Sequence, residues 1–290
     1  MDSFALLLIV FSALMHALWN LLVKQSRDKT IFIWWMFVCS WSMMSVFMFG
    51  SGSGLPELSF RFLSLAASAA VCFVFYHWFT GVAYREGDLS ITYPLAQTAM
   101  LYVPIWGVLL LGESLSPVGV AGILLIVAGA YCIQLRRLSA DEILRPFSQL
   151  GNRSVQAALL AGFVYSIGAI IDKTGVDNYS AYHFTYVLVF FMLGFMSLNL
   201  LRSRYRGRIL EEWRQSRKLV LWSGPVMLAS FLSFRFGLQL SPVSYAVPVR
   251  QVSLLIGVLI GLLFLGESCG RIRLASSGLI LAGVVLVWLG

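Results

Sequence analysis

Apolar runs of about 20 residues follow one another along nearly the whole chain, with short polar connections between them. As a helix, a run of that length crosses the ~30 Å hydrocarbon core of a bilayer. Lipid offers no hydrogen bonds, so the backbone of each run must satisfy itself, which restricts the fold to helices or a closed barrel. A barrel would show alternating segments of about ten residues, whereas these runs are continuously apolar. Composition agrees: 59% of the 290 residues are hydrophobic and 12% are charged, against roughly 45–50% and about 25% in soluble domains. The sequence predicts an all-α integral membrane protein.

Ten runs read as transmembrane helices: 4–23, 31–50, 60–84, 90–111, 115–135, 154–172, 180–202, 218–238, 242–265 and 271–289. Most connections are so short that consecutive helices must be antiparallel neighbours. Two are longer. Residues 136–153 carry Arg136, Arg137, Arg145 and Arg153, and 141–153 reads as a basic linker between halves 1–140 and 154–290. Residues 203–217 interleave arginines with Ile209, Leu210 and Trp213, which suits either an amphipathic helix on the membrane surface or a solvated loop.

The formal charge of +8 does not point to nucleic acid, because the cations sit in loops. The loops after helices 1, 3, 5, 7 and 9 hold 17 Lys and Arg residues, and the opposite side holds only Arg61 and Lys173. Positive-inside asymmetry therefore predicts cytoplasmic odd loops and both termini on the other side, in a bacterial inner (cytoplasmic) membrane. The first run lacks a basic leader and reads as a retained helix. Cys39, Cys72 and Cys132 lie in apolar runs and Cys269 in a short loop, with no C-x-x-C spacing, so no disulfide framework, metal or cofactor is expected.

The two halves are duplicates. Leu-Gly-Glu-Ser ends an apolar run at Glu113 and again at Glu267, 154 residues on. At the same offset Ser90 falls on Ser244, Pro94 on Pro248, Gln97 on Gln251, Gly107 on Gly261, and Ala128-Gly129 on Ala282-Gly283. Lys24 and Lys173 make a weaker match at a slightly different offset. Shared hydrophobicity does not explain matches of Pro, Gln, Gly and Glu. Five crossings per half is an odd number, so the second half enters the membrane upside down. Such inverted repeats occur in many secondary transporters.

These elements resemble the drug/metabolite transporter superfamily in its ten-helix form with two EamA-type repeats. The likeness rests on the Leu-Gly-Glu elements at 111–113 and 265–267, the Pro94 and Pro248 helices, the Lys24 and Lys173 helix ends, and the Gly129 and Gly283 helices. It extends over essentially the whole chain. It implies efflux or exchange of a small metabolite by alternating access without ATP, and it names no substrate.

The candidate site follows from polar residues that must avoid lipid. Pro94 and Pro248 each free a backbone carbonyl inside a helix, with Gln97 and Gln251 one turn on, so each half has a matched broken segment. This is a wall of a substrate cavity or a packing kink with glutamines bonding across helices. Ser12, His16, Trp19 and Asn20 share one face of the first helix, and Tyr76, His77 and Thr80 share one face of the third. Tyr93 joins them, and Tyr165 replaces His16 in the repeat alignment. The histidines are packing residues or carriers of a coupling proton.

Arg250 lies near mid-membrane in its run and marks a site by default. It either recognises a carboxylate or phosphate on the substrate or pairs with Asp172. Arg235, near a helix end, is expected to snorkel to the interface. Glu113 and Glu267 are expected to cap the helices that follow them. Gly257-x-x-x-Gly261 and the Ala-Gly pairs read as close helix packing.

No G-x-S-x-G elbow, H-E-x-x-H pair or Walker lysine occurs, which argues against a membrane-embedded enzyme. The expected partners are a small polar, anionic or zwitterionic molecule and the lipid bilayer. A lipid or amphiphile translocase is the alternative.

Overall fold

The computed structural model describes residues 1–52, 54, 56, 58–87, 89–133, 135, 137–200, 203–264 and 270–290. Glu267 and Cys269 lie outside the described residues. Those described form thirteen helices and no strand: α1 (Ser3–Gln25), α2 (Lys29–Ser51), α3 (Phe60–Glu86), α4 (Leu89–Ala96), α5 (Ala99–Leu111), α6 (Pro117–Cys132), α7 (Ala140–Ser148), α8 (Arg153–Asn178), α9 (Ala181–Leu200), α10 (Ser203–Gln239), α11 (Val243–Val249), α12 (Val252–Phe264) and α13 (Arg271–Leu289). Seven of these, α1, α2, α3, α8, α9, α10 and α13, are long and apolar enough to cross a bilayer alone. Large apolar side chains such as Phe60, Val46, Trp222 and Leu274 lie on the outside, as lipid contact allows.

The run predicted over 90–111 is interrupted between α4 and α5, and that over 242–265 between α11 and α12. Both breaks use the same device. Thr98 N–H donates to Leu95, Met100 to Gln97, Gln251 to Pro248 and Leu254 to Gln251, all three residues back instead of four. Proline causes the switch in the second half, because Pro248 cannot donate and its ring crowds the preceding turn.

Two loop expectations are corrected. The basic linker contains α7, capped by Ser139 and held by Tyr131 Oη, which donates to the Ile143 carbonyl at 2.6 Å. Residues 203–217 continue into α10 as one helix of 37 residues, roughly 55 Å long and well beyond the hydrocarbon core. Its overhang is fixed by tertiary contacts. Trp213 packs on Trp35 with ring centroids 4.7 Å apart, and Trp35 Nε1 donates to the Ile209 carbonyl at 3.1 Å. Buried Glu212 accepts the Asp28 N–H at 2.9 Å.

The main packing contacts of one half have counterparts in the other. α1 lies on α10 and α8 on α3; α1 also meets α12, and α8 meets α5. The α6–α13 contact is reciprocal residue by residue. A Cβ on Gly283 would lie 2.6 Å from the Gly122 carbonyl and 2.7 Å from Ile126, while one on Gly129 would lie 2.7 Å from the Ser276 carbonyl and from Ile280. Those pairs are related by the 154-residue offset, and the contacts climb α6 as they descend α13, so the helices are antiparallel. The Ala-Gly positions do serve close packing. Gly257 does not, since open space lies beyond it.

Candidate functional site

The two helix breaks meet. Gln251 Nε2 donates to Gln97 Oε1 at 3.2 Å, joining the halves at the points where their backbones are interrupted. Tyr93 hydrogen-bonds Gln97 and lies parallel to Tyr84 with centroids 6.0 Å apart.

Arg250 stands at the α11–α12 break, beside Gln251. Its guanidinium lies over the Phe234 ring at 4.2 Å, and Nη2 approaches His16 Nδ1 at 3.4 Å. Its Nε is buried without a partner. Among the described residues no carboxylate lies within ion-pair distance of Arg250. Asp172 is committed elsewhere: its Oδ1 accepts from Arg235 Nε at 2.8 Å, and both residues are buried. This corrects one expectation and decides against one of two open alternatives. Arg235 does not snorkel, being only 3% exposed, and Asp172 does not neutralise Arg250. A guanidinium that deep in lipid requires a counter-ion, and Arg235 takes the one α8 provides.

His16 sits on α1 with Trp19 edge-on to it at 4.8 Å, and Trp19 Nε1 is buried without a partner. Asn20 is exposed and donates back to the His16 carbonyl of its own helix at 2.9 Å. Ser12 is part of the α1–α10 seam, where it donates to the Ser230 carbonyl at 2.8 Å and Ser230 Oγ returns the bond at 3.0 Å. His77 on α3 is exposed at its surface. Its ring packs on Tyr76 with centroids 5.1 Å apart. Tyr76 packs on Tyr165 of α8 at 5.0 Å, and Tyr165 packs on Phe73 at 5.6 Å.

The contacts thus join His16 to Trp19 and Arg250, Gln97 to Tyr93 and Gln251, and Tyr76 to His77 and Tyr165, while Asn20 is exposed. Pro94 lies in the last turn of α4. Phe234, which supports Arg250, carries no sequence signal of its own: nothing separates it from the other aromatics of an apolar run.

Glu113 reaches across the repeat boundary. Its carboxylate accepts the N–H groups of Val243 at 2.7 Å and Ser244 at 3.1 Å and the Ser244 hydroxyl at 2.5 Å. It thus caps α11 of the other half and not the helix that follows it, as expected above. That helix, α6, takes its cap from Ser116. At the same end of the molecule, buried Lys173 donates to the Leu238 carbonyl at 2.9 Å and to Asp177 at 2.7 Å. Its counterpart Lys24 is exposed.

Comparison with known proteins agrees with this architecture. The EamA-like transporter family matches the chain twice, over residues 3–135 and 152–289. One solved crystal structure of a protein superposes on all of this chain and 98% of its own, at 16% identity and a TM-score of 0.78, which is a likeness of fold. No curated protein matches the sequence. Two matches that together span almost the whole chain decide its kinship: it belongs to the EamA-like transporter family.

Proposed function

We propose that the protein is a secondary transporter for a small polar metabolite bearing a carboxylate or phosphate, exported or exchanged by alternating access. The observation that carries this reading is the free edge of Arg250. Nε and Nη2 form the side of a guanidinium that binds an oxyanion bidentately. Here Nε has no partner and Nη2 has only a long contact to a histidine nitrogen. A half-buried cation in that condition is built for a counter-ion that comes and goes.

Ten crossings in two inverted five-helix halves, 1–140 and 154–290, complete the reading, with α4–α5 and α11–α12 each counted as one broken crossing. The antiparallel, reciprocal α6–α13 contact favours inversion. So does the asymmetry between buried Lys173 and exposed Lys24, since alternating access requires equivalent ends to be closed in turn.

A lipid translocase is favoured by one feature, an apolar recess of about 560 Å³ lined by Met43, Met44, Phe47, Tyr182, His183 and Phe236. It lacks a permanent charge to hold a headgroup, so the water-soluble anion is preferred. Uptake into proteoliposomes decides. A panel of carboxylates and phosphates with neutral analogues should show anion transport that Arg250→Gln abolishes without loss of membrane insertion or thermal stability. Unchanged transport by a stable Arg250→Gln protein would eliminate the reading.

A further inference from the structure

We infer that His16 couples anion binding at Arg250 to the uptake of one proton, an inference that rests on the anion reading of Arg250 above. A guanidinium has donors only. In the 3.4 Å contact His16 Nδ1 must therefore be the acceptor, which fixes the ring as neutral with its proton on Nε2. A protonated ring would turn an N–H and a positive charge towards Arg250. Protonation of His16 and its contact with Arg250 exclude each other.

An anion changes the arrangement. Bound along the Nε–Nη2 edge, it competes with His16 Nδ1 for the Nη2 donors and satisfies the Nε that nothing else reaches. His16 Nδ1 is left facing an anion with no donor in between. The proton that resolves this comes from water onto Nδ1, and the new N–H points at the anion. An N–H bond forms at Nδ1 and an O–H bond of hydronium breaks, leaving water; no other covalent bond changes. The loaded site then carries the same net charge as the empty one, so the anion crosses the low-dielectric interior without adding charge.

The groups facing this pair leave the role to His16. Asp172 of α8 is engaged by Arg235 of α10. Gln97 and Gln251 bond each other and do not titrate. Tyr76 of α3, Tyr93 of α4 and Tyr165 of α8 are phenols, neither carboxylates nor imidazoles. His77 of α3 is the remaining titratable neighbour.

The test uses full-length protein in detergent with benzoate, a carboxylate that stays ionised through the neutral range, and methanesulfonate as a tetrahedral anion. Calorimetry in buffers of different ionisation enthalpy counts protons taken up per anion. Wild type should approach one, with apparent affinity falling tenfold per pH unit on the alkaline limb. His16→Asn keeps an acceptor oxygen near the Nδ1 position but cannot be protonated. It should bind both probes with no proton uptake and no pH dependence, whereas His77→Gln, whatever its affinity, should still take up about one proton per anion. Wild-type binding without proton uptake overturns the inference and leaves the anion reading standing. So does uptake that persists in His16→Asn or disappears in His77→Gln. Failure of the wild type to bind either probe overturns both.

Discussion

Gln97 and Gln251 stand 154 residues apart, at the same position of the two repeats, and hydrogen-bond each other at 3.2 Å. A residue can touch its own repeat equivalent only where the axis relating the repeats passes between them. The two backbone breaks, the Arg250 guanidinium and the aromatic group around it therefore gather at the pseudo-two-fold axis. One site on that axis can be reached by either half, as the alternating access proposed above requires.

The glutamine pair gives the first prediction. Gln251→Leu leaves the Gln97 carbonyl oxygen without its donor and should destabilise the protein by about 1 kcal/mol, the lower part of the range for a lost partner because the site is half-accessible. Gln97→Leu should act alike. The double variant should be more stable than the two losses added together, since no stranded group remains. Thermal unfolding of the four proteins measures the coupling, and simple additivity would show that the bond contributes nothing.

The Asp172–Arg235 pair is the most severe test of the core. Both side chains are almost wholly buried, so removing one strands the other, at about 3–5 kcal/mol for a broken buried pair. Asp172→Asn and Arg235→Gln should each abolish accumulation of folded protein or lower the melting temperature sharply. Combining them should recover much of the loss. Asp172→Asn with Arg250→Gln should recover none, because Arg250 is not the partner. Recovery with Arg250 in place of Arg235 would reassign the ion pair.

Glu113 makes a different kind of contact. Its three hydrogen bonds hold the first turn of α11, a helix too short to be stable alone, against the other half. Glu113→Ala should cost about 2 kcal/mol, typical of a lost charged cap. Ser244→Ala removes one bond of the three and should cost less than about 1 kcal/mol. Equal effects from the two changes, measured by thermal unfolding, would mean that the backbone N–H groups find other partners and that the cap is dispensable.

The sequence carried the repeat and the positions of the breaks because Pro94, Pro248, Gln97 and Gln251 are not interchangeable with other apolar-run residues. Their coincidence at one offset needs a structural cause. What could not be read were partners set by packing. Arg235 and Asp172 are 63 residues apart, and each alone looks like a helix-end residue. Glu113 resembles a cap for the helix beside it, and only the fold brings α11 nearer. The arginine-rich start of α10 has loop composition, and it is helical because Trp35 and Asp28 of the neighbouring turn give Ile209, Glu212 and Trp213 something to hold.

That overhang also bears on orientation. Arg27 meets Glu211 at 3.0 Å and Arg208 meets Asp28, so the α1–α2 turn and the start of α10 lie at one end of the molecule with their cations together. The N-terminal amine of Met1 donates to the Trp288 carbonyl at 3.3 Å, and Trp288 Nε1 donates to Ser3 Oγ at 3.1 Å, which puts both termini together as well. We propose that this end, with several arginines on a projecting helix, lies beside the anionic cytoplasmic leaflet, because loop cations set orientation. α1 is one crossing, so the termini then face the opposite compartment. A reporter active only in the cytoplasm should stay dark when fused after Gly290 and be active when inserted in the connection between α6 and α8. The reverse pattern would mean that the cationic overhang does not set orientation in this chain.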